Sequence, residues 1–200
     1  MGLQSQLTKK STSLFILNHE NLVLLQKRVL LFSGIDQKDI KLFFVKIDEV
    51  SGERVDVCTT VLGHQHLNDK PILIFAHGYA ASGALYYKMY KGLLEKFCII
   101  LIDHVGMGAS TRAKNFDPDN LSPQQTIDYF VENIEKWRKK FSQTMGKELT
   151  GFTLMGHSFG AYICSNYTLK YHKHVKKLIL LSPIGMKLTG AALKDGTMSQ

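Results

Sequence analysis

The sequence predicts an α/β protein in which helices cover a mainly parallel β-sheet. Three short apolar runs, residues 71–76, 98–102 and 152–155, have the hydrophobic character of strands that are buried on both faces. A fourth strand-like run covers residues 175–181. Segments with helical periodicity separate these runs, and strands that alternate with helices form parallel sheets through crossover connections.

The predicted helices lie between these strands, over residues 83–97, from Ser122 onward, and over 159–171. The second has the clearest start, because Ser122 can cap it, Pro123 suits the first helical position and Gln125 completes a capping box. The apolar side predicted for the first of these helices consists of Leu85, Met89, Leu93 and Leu94.

The N-terminal part of the chain predicts a different arrangement. Residues 1–33 combine a polar segment with an amphipathic helix over 18–31, and residues 34–185 form the predicted core. The runs 40–47 and 54–61 flank a Ser-Gly turn signal. We therefore expect an N-terminal β-hairpin at the edge of the sheet.

The composition limits the classes of partner. The formal net charge is +8, but the basic residues are scattered and do not alternate with aromatic residues on one element, which argues against nucleic-acid binding. The densest basic cluster, within 136–140, is interpreted as a solvated helix face, with attraction to acidic lipid headgroups as the alternative.

The cysteines and the hydropathy predict the compartment. An odd number of cysteines and the lack of an apolar stretch of about 20 residues predict a cytoplasmic protein without a disulfide framework.

A short motif after the third buried strand carries the clearest chemical signal. Gly156-His157-Ser158-Phe159-Gly160 fits Gly-x-Ser-x-Gly, directly follows a strand and directly opens a helix, as a nucleophile elbow requires. The glycines permit a sharp turn and a close approach of neighbouring backbone. Such a turn holds the serine hydroxyl at the carboxyl edge of the sheet, where the helix dipole favours a developing oxyanion. Ser158 is therefore the predicted nucleophile.

The loops after the first two buried strands are expected to support this serine. In the fold that such an elbow defines, one main-chain N–H of the oxyanion hole comes from the loop after the first strand, and the other from the residue after the nucleophile. We assign these amides to Tyr79 and Phe159. His77 and Gly78 are interpreted as bracing the first loop, and Asp103 as bracing the loop after the second strand.

Three other patterns are interpreted as chance or structural features. His64 and Asp69 have a His-x4-Asp spacing found in some acyltransferases, but they lie in a polar loop that enters a strand, away from the carboxyl edge. His64 and His66 could bind a metal ion, but no further ligand pattern accompanies them. The glycine-rich segment after Asp103 lacks the Gly-x-Gly-x-x-Gly spacing and a P-loop lysine. We therefore expect no metal ion and no cofactor.

Several segments resemble one known group of proteins. The strings Ile-Phe-Ala-His-Gly-Tyr, Leu-Ile-Asp-His-Val-Gly-Met-Gly-Ala-Ser, Phe-Val-Glu-Asn-Ile-Glu-Lys-Trp-Arg and Met-Gly-His-Ser-Phe-Gly-Ala-Tyr resemble the α/β-hydrolase-domain proteins 4 and 5, over about residues 40–186. The resemblance implies an α/β-hydrolase fold and a role with lysophospholipids, N-acyl phospholipids or triglyceride metabolism. Some members of that family lack the serine and act as lipase co-activators, so the presence of Ser158 favours the enzymatic branch.

The resemblance also implies a catalytic triad of which this sequence contains only the serine. An acid and then a histidine follow the nucleophile in this fold, but after Ser158 the chain has only Asp195, His172 and His174. The two histidines follow a helix of roughly 20 Å, so we expect them at the opposite edge of the sheet. We therefore expect a chain that is truncated before the last strands, with residues 186–200 as the start of a cap segment.

Three functions remain open from the sequence. The leading hypothesis is a serine hydrolase or acyltransferase that acts on lipid esters or amides through an acyl-enzyme on Ser158. The second is a non-catalytic module that docks on lipid droplets or on a lipase, because the acid and base are missing. The third is a soluble carboxylesterase, since the elbow and the oxyanion loop do not distinguish it. A lipid or ester substrate is the expected partner, peripheral association with membranes or lipid droplets is open, and the sequence does not predict the oligomeric state.

Overall fold

In the part of the chain that the structure describes, six strands form one mixed sheet. The computed structural model describes residues 19–114, 116–117 and 119–185. In chain order the strands are β1 (Ile40–Val50), β2 (Glu53–Leu62), β3 (Ile72–Ala76), β4 (Cys98–Ile102), β5 (Phe152–His157) and β6 (Val175–Leu181). Across the sheet they lie in the order β1-β2-β4-β3-β5-β6.

The strand pairing confirms the predicted hairpin and the predicted parallel core. β1 and β2 are antiparallel neighbours, and β2 pairs antiparallel with β4. β3 lies between β4 and β5 and is parallel to both, and β5 is parallel to β6. The carboxyl ends of β3, β4 and β5 therefore meet at one edge of the sheet, which is the edge where ligands bind in open α/β sheets.

Helices cover both faces of this sheet. α1 (His19–Leu31) and α2 (Tyr87–Leu93) pack on one face, and α3 (Pro123–Met145) and α4 (Phe159–Lys170) pack on the other. A sheet covered in this way hides its central strands from water, which explains why β3 and β4 are almost continuously apolar.

The hydrophobic core accordingly has two halves, one on each face. Phe75 of β3 belongs to the cluster that contains Tyr90 of α2, whereas its neighbour Ile74 belongs to the cluster that contains Trp137 of α3 and Tyr167 of α4. Successive side chains of a strand point to opposite faces, so one apolar strand contributes to both clusters. The sheet therefore joins helices from distant parts of the chain into one folded unit.

The start of α3 is as the sequence predicts. Ser122 Oγ accepts a hydrogen bond from the Gln125 N–H (3.3 Å), and Gln125 Oε1 accepts one from the Ser122 N–H (2.9 Å). Pro123 follows the cap, at a position where an N–H would have no partner within the helix. The helix ends at Gly146, whose φ of 64° is the left-handed conformation that favours glycine.

The helix predicted over 83–97 starts differently and is shorter. Gly83–Tyr86 form a 3-10 turn, and only Tyr87–Leu93 are α-helical. The Tyr90 hydroxyl donates a hydrogen bond to the first carbonyl of this turn (2.5 Å), which holds the turn against the helix. Because a 3-10 turn has about 3.0 residues per turn instead of 3.6, Leu85 does not lie on the predicted apolar side and is 60% exposed.

Some predictions concern the ends of the chain or the compartment. The polar segment 1–18 and the predicted cap start 186–200 lie outside the described residues. None of the described helices is both long enough and apolar enough to span a bilayer. Cys58, Cys98 and Cys164 are buried free thiols, and burial raises the pKa of Cys98 to about 11.

Candidate active site

Ser158 occupies a sharp turn between β5 and α4. Its backbone angles are φ 52° and ψ −116°, a conformation that residues with a side chain avoid and that is found at functional sites. The Ser158 N–H donates a hydrogen bond to the Leu181 carbonyl at the end of β6 (2.9 Å). The Ser158 side chain is half-buried, and no described residue forms a hydrogen bond with its Oγ. The turn therefore has the backbone geometry of a nucleophile elbow.

The two glycines of the motif are required by close backbone approach. A Cβ atom on Gly160 would contact the carbonyl oxygens of Ala76 and His77 at the end of β3. A Cβ atom on Gly156 would lie 2.6 Å from the main-chain nitrogen of Ala161. Neither glycine has a positive φ, so the strained conformation is at Ser158 itself. Small residues on both sides of the serine therefore let β5 and α4 pass close to each other and to β3.

The two main-chain amides predicted as an oxyanion hole lie on adjacent segments. Tyr79 follows β3, and Phe159 is the first residue of α4. Their rings pack edge to face with centroids 6.2 Å apart. Neither N–H forms a hydrogen bond with any residue in the described part of the chain, so both can bind an external acceptor. The Phe159 N–H also lies at a helix N-terminus, which favours negative charge.

A hydrogen-bonded tyrosine connects the elbow to the loop after β3. The Tyr86 hydroxyl accepts a hydrogen bond from the Gly78 N–H (3.4 Å) and lies 2.8 Å from His157 Nδ1. The hydroxyl therefore bridges the loop after β3 and the half-buried His157 ring. A Cβ atom on Gly78 would lie 3.0 Å from His157 Nδ1, so a glycine keeps these two segments close.

Asp103 connects three segments at the same edge of the sheet. Its Oδ2 accepts hydrogen bonds from Gln26 Nε2 of α1 (2.5 Å) and from the Ala109 N–H (2.9 Å). Its Oδ1 accepts one from the Gly83 N–H (2.9 Å). A Cβ atom on Gly108, whose φ is 53°, would contact Asp103 Oδ2. The carboxylate is 3% exposed, and these bonds attach the loop after β4 to α1 and to the turn before α2.

His77 is fully buried beneath the loop after β3 and is neutral. Its Nδ1 lies 2.7 Å from the Gly78 carbonyl oxygen, and its Nε2 accepts a hydrogen bond from the His104 N–H (3.1 Å). Because Nε2 accepts, the proton is on Nδ1, which donates to Gly78. Burial lowers the pKa of His77, although the Asp103 carboxylate, 3.7 Å from Nε2, acts in the opposite direction. The ring can therefore hold two segments together without carrying charge.

His104 lies behind Phe159 and is also neutral. Its ring packs edge to face on Phe159 and Phe130, with centroids 5.5 and 6.0 Å away. Burial, together with the neighbouring His77, lowers the pKa of His104 well below its ordinary value. His104 Nε2 and Asn133 Nδ2 have no hydrogen-bond partner among the described residues, and both residues line one small void. The Phe159 ring is therefore packed against the rings of His104 and Phe130.

A cleft of about 620 Å³ opens beside the two amides, because Tyr79 and Phe159 both line it. Its other walls come from the loop after β4 and from α3, and most of them are apolar. Among the described residues that line the cleft, Arg112 is the only charged one. The apolar and aromatic lining residues other than Tyr79 and Phe159 include Val105, Met107, Phe116, Tyr129 and Phe130.

The remaining predicted histidines do not approach this site. His64 Nε2 lies 2.9 Å from the Lys38 carbonyl oxygen, and His66 Nδ1 lies 2.9 Å from Asp69. These residues precede β3 and so lie at the opposite edge of the sheet. Within the described ranges no group of three or more His, Cys, Asp or Glu side chains is arranged to hold a metal ion. The 3-10 turn His172–His174 follows the 12 residues of α4, so it lies about 18 Å from the elbow along that helix.

Three residues at this edge belong to no recognisable sequence motif. Gln26 bonds to a carboxylate 77 residues away, and Tyr86 bonds to a histidine 71 residues away. Arg112 lies just beyond the glycine-rich segment that follows Asp103. The β4–β3–β5 arrangement brings these residues together, and spacing along the chain does not reveal it.

The fold and the elbow together define a class of protein, and comparisons with known proteins agree with it. A family model described as the alpha/beta hydrolase fold matches residues 71–197. The chain therefore belongs to the α/β-hydrolase fold family. A solved structure of a membrane phospholipase A has a TM-score of 0.63 at 17% identity and covers 93% of this chain and 52% of that protein. A proline iminopeptidase-related protein from Thermus thermophilus has a TM-score of 0.55 at 22% identity, over 72% of this chain and 45% of that protein. These two similarities concern the fold.

Similar curated proteins narrow the branch of the family. The chain is 36% identical over 125 residues to a 1-acylglycerol-3-phosphate O-acyltransferase from Arabidopsis thaliana, which covers 62% of this chain and 28% of the relative. It is 33% identical over 129 residues to a (lyso)-N-acylphosphatidylethanolamine lipase from Homo sapiens, which covers 64% of this chain and 35% of the relative. The chain thus spans about a third or less of the length of these curated relatives. The predicted likeness to lipid-acting lipases and acyltransferases is confirmed by these names.

Proposed function

We propose that the protein is a serine hydrolase or acyltransferase that acts on lipid esters or amides through an acyl-enzyme on Ser158. The observation that carries the proposal is the strained turn at Ser158, which directly precedes Phe159 and lies against Gly78, the residue before Tyr79. The neighbouring cleft of about 620 Å³ is mainly apolar and suits an acyl chain. The names of two relatives, a 1-acylglycerol-3-phosphate O-acyltransferase and a (lyso)-N-acylphosphatidylethanolamine lipase, support a lipid substrate.

The proposed first step forms the acyl-enzyme. Ser158 Oγ attacks the carbonyl carbon of the lipid, and a general base accepts the serine proton. The N–H groups of Tyr79 and Phe159 stabilise the negative charge on the carbonyl oxygen, aided by the N-terminus of α4. The bond to the leaving alcohol or amine then breaks, and the leaving group takes the proton from the base. In the second step the base accepts a proton from water or from the hydroxyl of a second lipid, whose oxygen attacks the acyl carbon. The bond to Ser158 Oγ then breaks and the serine takes the proton from the base, giving hydrolysis or acyl transfer.

The base and the acid of the triad are expected outside the described residues. No described side chain forms a hydrogen bond with Ser158 Oγ, although the mechanism needs a base within that distance. His77 is not proposed for this role, because both of its ring nitrogens already bond within the loops. His77, Gly78, His157 and Asp103 are proposed to position the elbow and the oxyanion loop.

Fluorophosphonate labelling tests the proposed nucleophile. We expect the full-length wild-type protein to be labelled, because the reagent reacts with an activated serine. Labelling of the Ser158→Ala variant should be at least about 100-fold weaker. Ser165→Ala is the matched control, since Ser165 lies on α4 and its hydroxyl donates to the Ala161 carbonyl of the same helix. Absence of labelling in a folded wild-type protein would exclude the acyl-enzyme mechanism.

A second proposal concerns peripheral association with a lipid surface. Several apolar side chains on and just after α1 are exposed, with Phe32 at 78% and Leu24 and Leu25 at 49% each. Lys27 and Arg28 lie on the same helix, and basic residues beside apolar ones favour an anionic bilayer surface. We expect flotation with phosphatidylserine-containing liposomes to fall when Leu24 and Leu25 are both changed to Ser; unchanged flotation would contradict this proposal.

A cytoplasmic location is also proposed, because the three free cysteines support a reduced compartment.

A further inference from the structure

We propose that Arg112, which lines the cleft together with Tyr79 and Phe159, binds the phosphate of the lipid substrate. This inference rests on the proposed function of that site. Among the described residues that line the cleft, Arg112 alone is charged, and the cleft walls are otherwise mainly apolar. An apolar cleft with one guanidinium suits an amphiphile that has an acyl chain and a phosphate group, because a guanidinium binds phosphate through two parallel hydrogen bonds.

Thr111, the residue before Arg112, is held by three hydrogen bonds. The Thr111 N–H donates to the Asp56 carbonyl (2.9 Å), and the Thr111 Oγ1 accepts from the Asp56 N–H (3.0 Å). The Thr111 carbonyl accepts from the Gly106 N–H (2.9 Å). These bonds attach the loop to β2, so the main chain does not have to be ordered when a ligand binds to Arg112.

The charge of Arg112 is not neutralised by a neighbouring carboxylate. Arg54 pairs with Asp56 at 2.9 Å, and Arg138 pairs with Glu135 at 2.9 Å. Arg112, in contrast, forms no ion pair or hydrogen bond with any residue in the described ranges, and its side chain is exposed. Its guanidinium donors therefore need no internal partner to be broken before they bind an anion.

Arg112 also lies between two concave surfaces. A second groove of about 290 Å³ lies between α1 and the residues that follow Tyr79, and Arg112 and Gly108 line both this groove and the cleft. A phosphate on Arg112 would therefore have the apolar cleft on one side and the second groove on the other. Most residues that line the second groove are apolar as well, and Gln26 and Ser82 are its uncharged polar lining residues.

The test measures binding separately from turnover, in the full-length protein with Ser158→Ala. The ligands are 1-acylglycerol-3-phosphate and a monoacylglycerol with the same acyl chain, each below its critical micelle concentration, in isothermal titration calorimetry. Arg112→Gln should raise the Kd for the phosphate-bearing lipid by about 10-fold or more and should change the Kd for the monoacylglycerol by less than about 2-fold. Arg112→Lys should recover part of the lost affinity, because it restores the charge without the guanidinium fork.

Lys114→Gln is the matched control. It removes the same charge two residues further along the chain, but Lys114 pairs with Glu53 and does not line the cleft. A second arm adds inorganic phosphate, which should compete weakly because it lacks the acyl chain. The inference is overturned if Arg112→Gln weakens both lipids equally, if Lys114→Gln has the same effect, or if free phosphate competes as well as the lipid. Failure of Ser158 labelling would instead refute the proposed function and leave this binding result unaffected.

Discussion

The elbow at Ser158 and the loop after β4 lie at the same edge of the sheet but are held in place differently. In the elbow, the constraint is close backbone packing, because Gly156 and Gly160 let β5, α4 and the end of β3 approach closely. In the loop, residues 103–112, the constraint is long-range, because Asp103 receives its hydrogen bonds from α1, from the turn before α2 and from within the loop. A nucleophile can thus be positioned by backbone packing around a short motif, whereas the loop beside it depends on hydrogen bonds to one buried carboxylate.

The two regions also contribute different parts of the candidate site. The elbow places a serine and an amide N–H, both of which are proposed to act on the reacting carbonyl. The loop places Val105, Met107 and Arg112, which line the cleft where the rest of the substrate is proposed to lie. Damage to the elbow should therefore affect the chemical step, and damage to the loop should affect the choice and binding of substrate.

Replacing Gly160 with alanine should have the largest effect. The added Cβ would meet the carbonyl oxygens of Ala76 and His77, which are backbone atoms at the end of a central strand and cannot move without disturbing β3. We expect Gly160→Ala to lower the free energy of unfolding by about 4 kcal/mol or more and to abolish labelling at Ser158. Urea unfolding followed by circular dichroism measures the first effect, and fluorophosphonate labelling the second.

Gly92→Ala is the control for that substitution. Gly92 lies in α2, and a Cβ atom built there meets nothing within 4 Å. Replacing it should raise the free energy of unfolding by about 0.5–1 kcal/mol, because alanine loses less conformational entropy in a helix. Similar unfolding curves for the two variants would show that the close approach at Gly160 does not constrain the elbow.

Replacing Asp103 with alanine should have the next largest effect. The substitution leaves Gln26 Nε2 and the N–H groups of Gly83 and Ala109 without their acceptor in a buried site. Unsatisfied buried donors cost about 1–3 kcal/mol each, and partial relaxation should reduce the total to about 3 kcal/mol. Urea unfolding checks this value, with Asp117→Ala as the control because the Asp117 carboxylate accepts its hydrogen bonds at the protein surface.

Asp103→Ala also tests whether the loop and the elbow are separable. If the variant is folded, Ser158 should still be labelled, because the elbow has its own local constraints, whereas binding of 1-acylglycerol-3-phosphate should weaken as Arg112 loses its fixed position. Loss of labelling in a folded Asp103→Ala protein would mean that the two regions form one unit.

Much of the fold could be predicted because its signals are local. The buried strands β3 and β4, the capping box at Ser122 and the hairpin follow from periodicity and turn chemistry. The 3-10 turn at Gly83 could not be predicted, because it depends on a tyrosine hydroxyl and on Asp103, which follows another strand. In the candidate site, the motif at Ser158 could also be predicted because its residues are adjacent in the sequence. The roles assigned to Ser158 and to Tyr79 stay predictions. The Gln26 and Tyr86 contacts could not be found, since sheet order sets which loops become neighbours.

His104 connects the two regions, because it follows Asp103 in the loop and its ring packs on Phe159 of the elbow. We expect this histidine to make the free energy of unfolding depend on pH. Burial lowers the pKa of His104 in the folded protein below its ordinary value of 6.5. At a pH between these two pKa values, His104 is protonated in the unfolded chain but not in the folded protein. The free energy of unfolding should therefore fall as the pH drops from about 7.5 to about 5.5, by up to about 1.4 kcal/mol per pH unit for each such histidine. The pKa of His77 is lowered in the same direction by burial and adds to the slope.

Replacing His104 with phenylalanine separates its contribution from that of His77. A phenyl ring suits the aromatic surroundings that Phe130 and Phe159 provide, and it cannot bind a proton. His104→Phe should therefore reduce the slope of stability against pH by the contribution of one histidine. Urea unfolding of the two proteins at several pH values measures the difference, and parallel curves would show that His104 is not kept neutral by the fold.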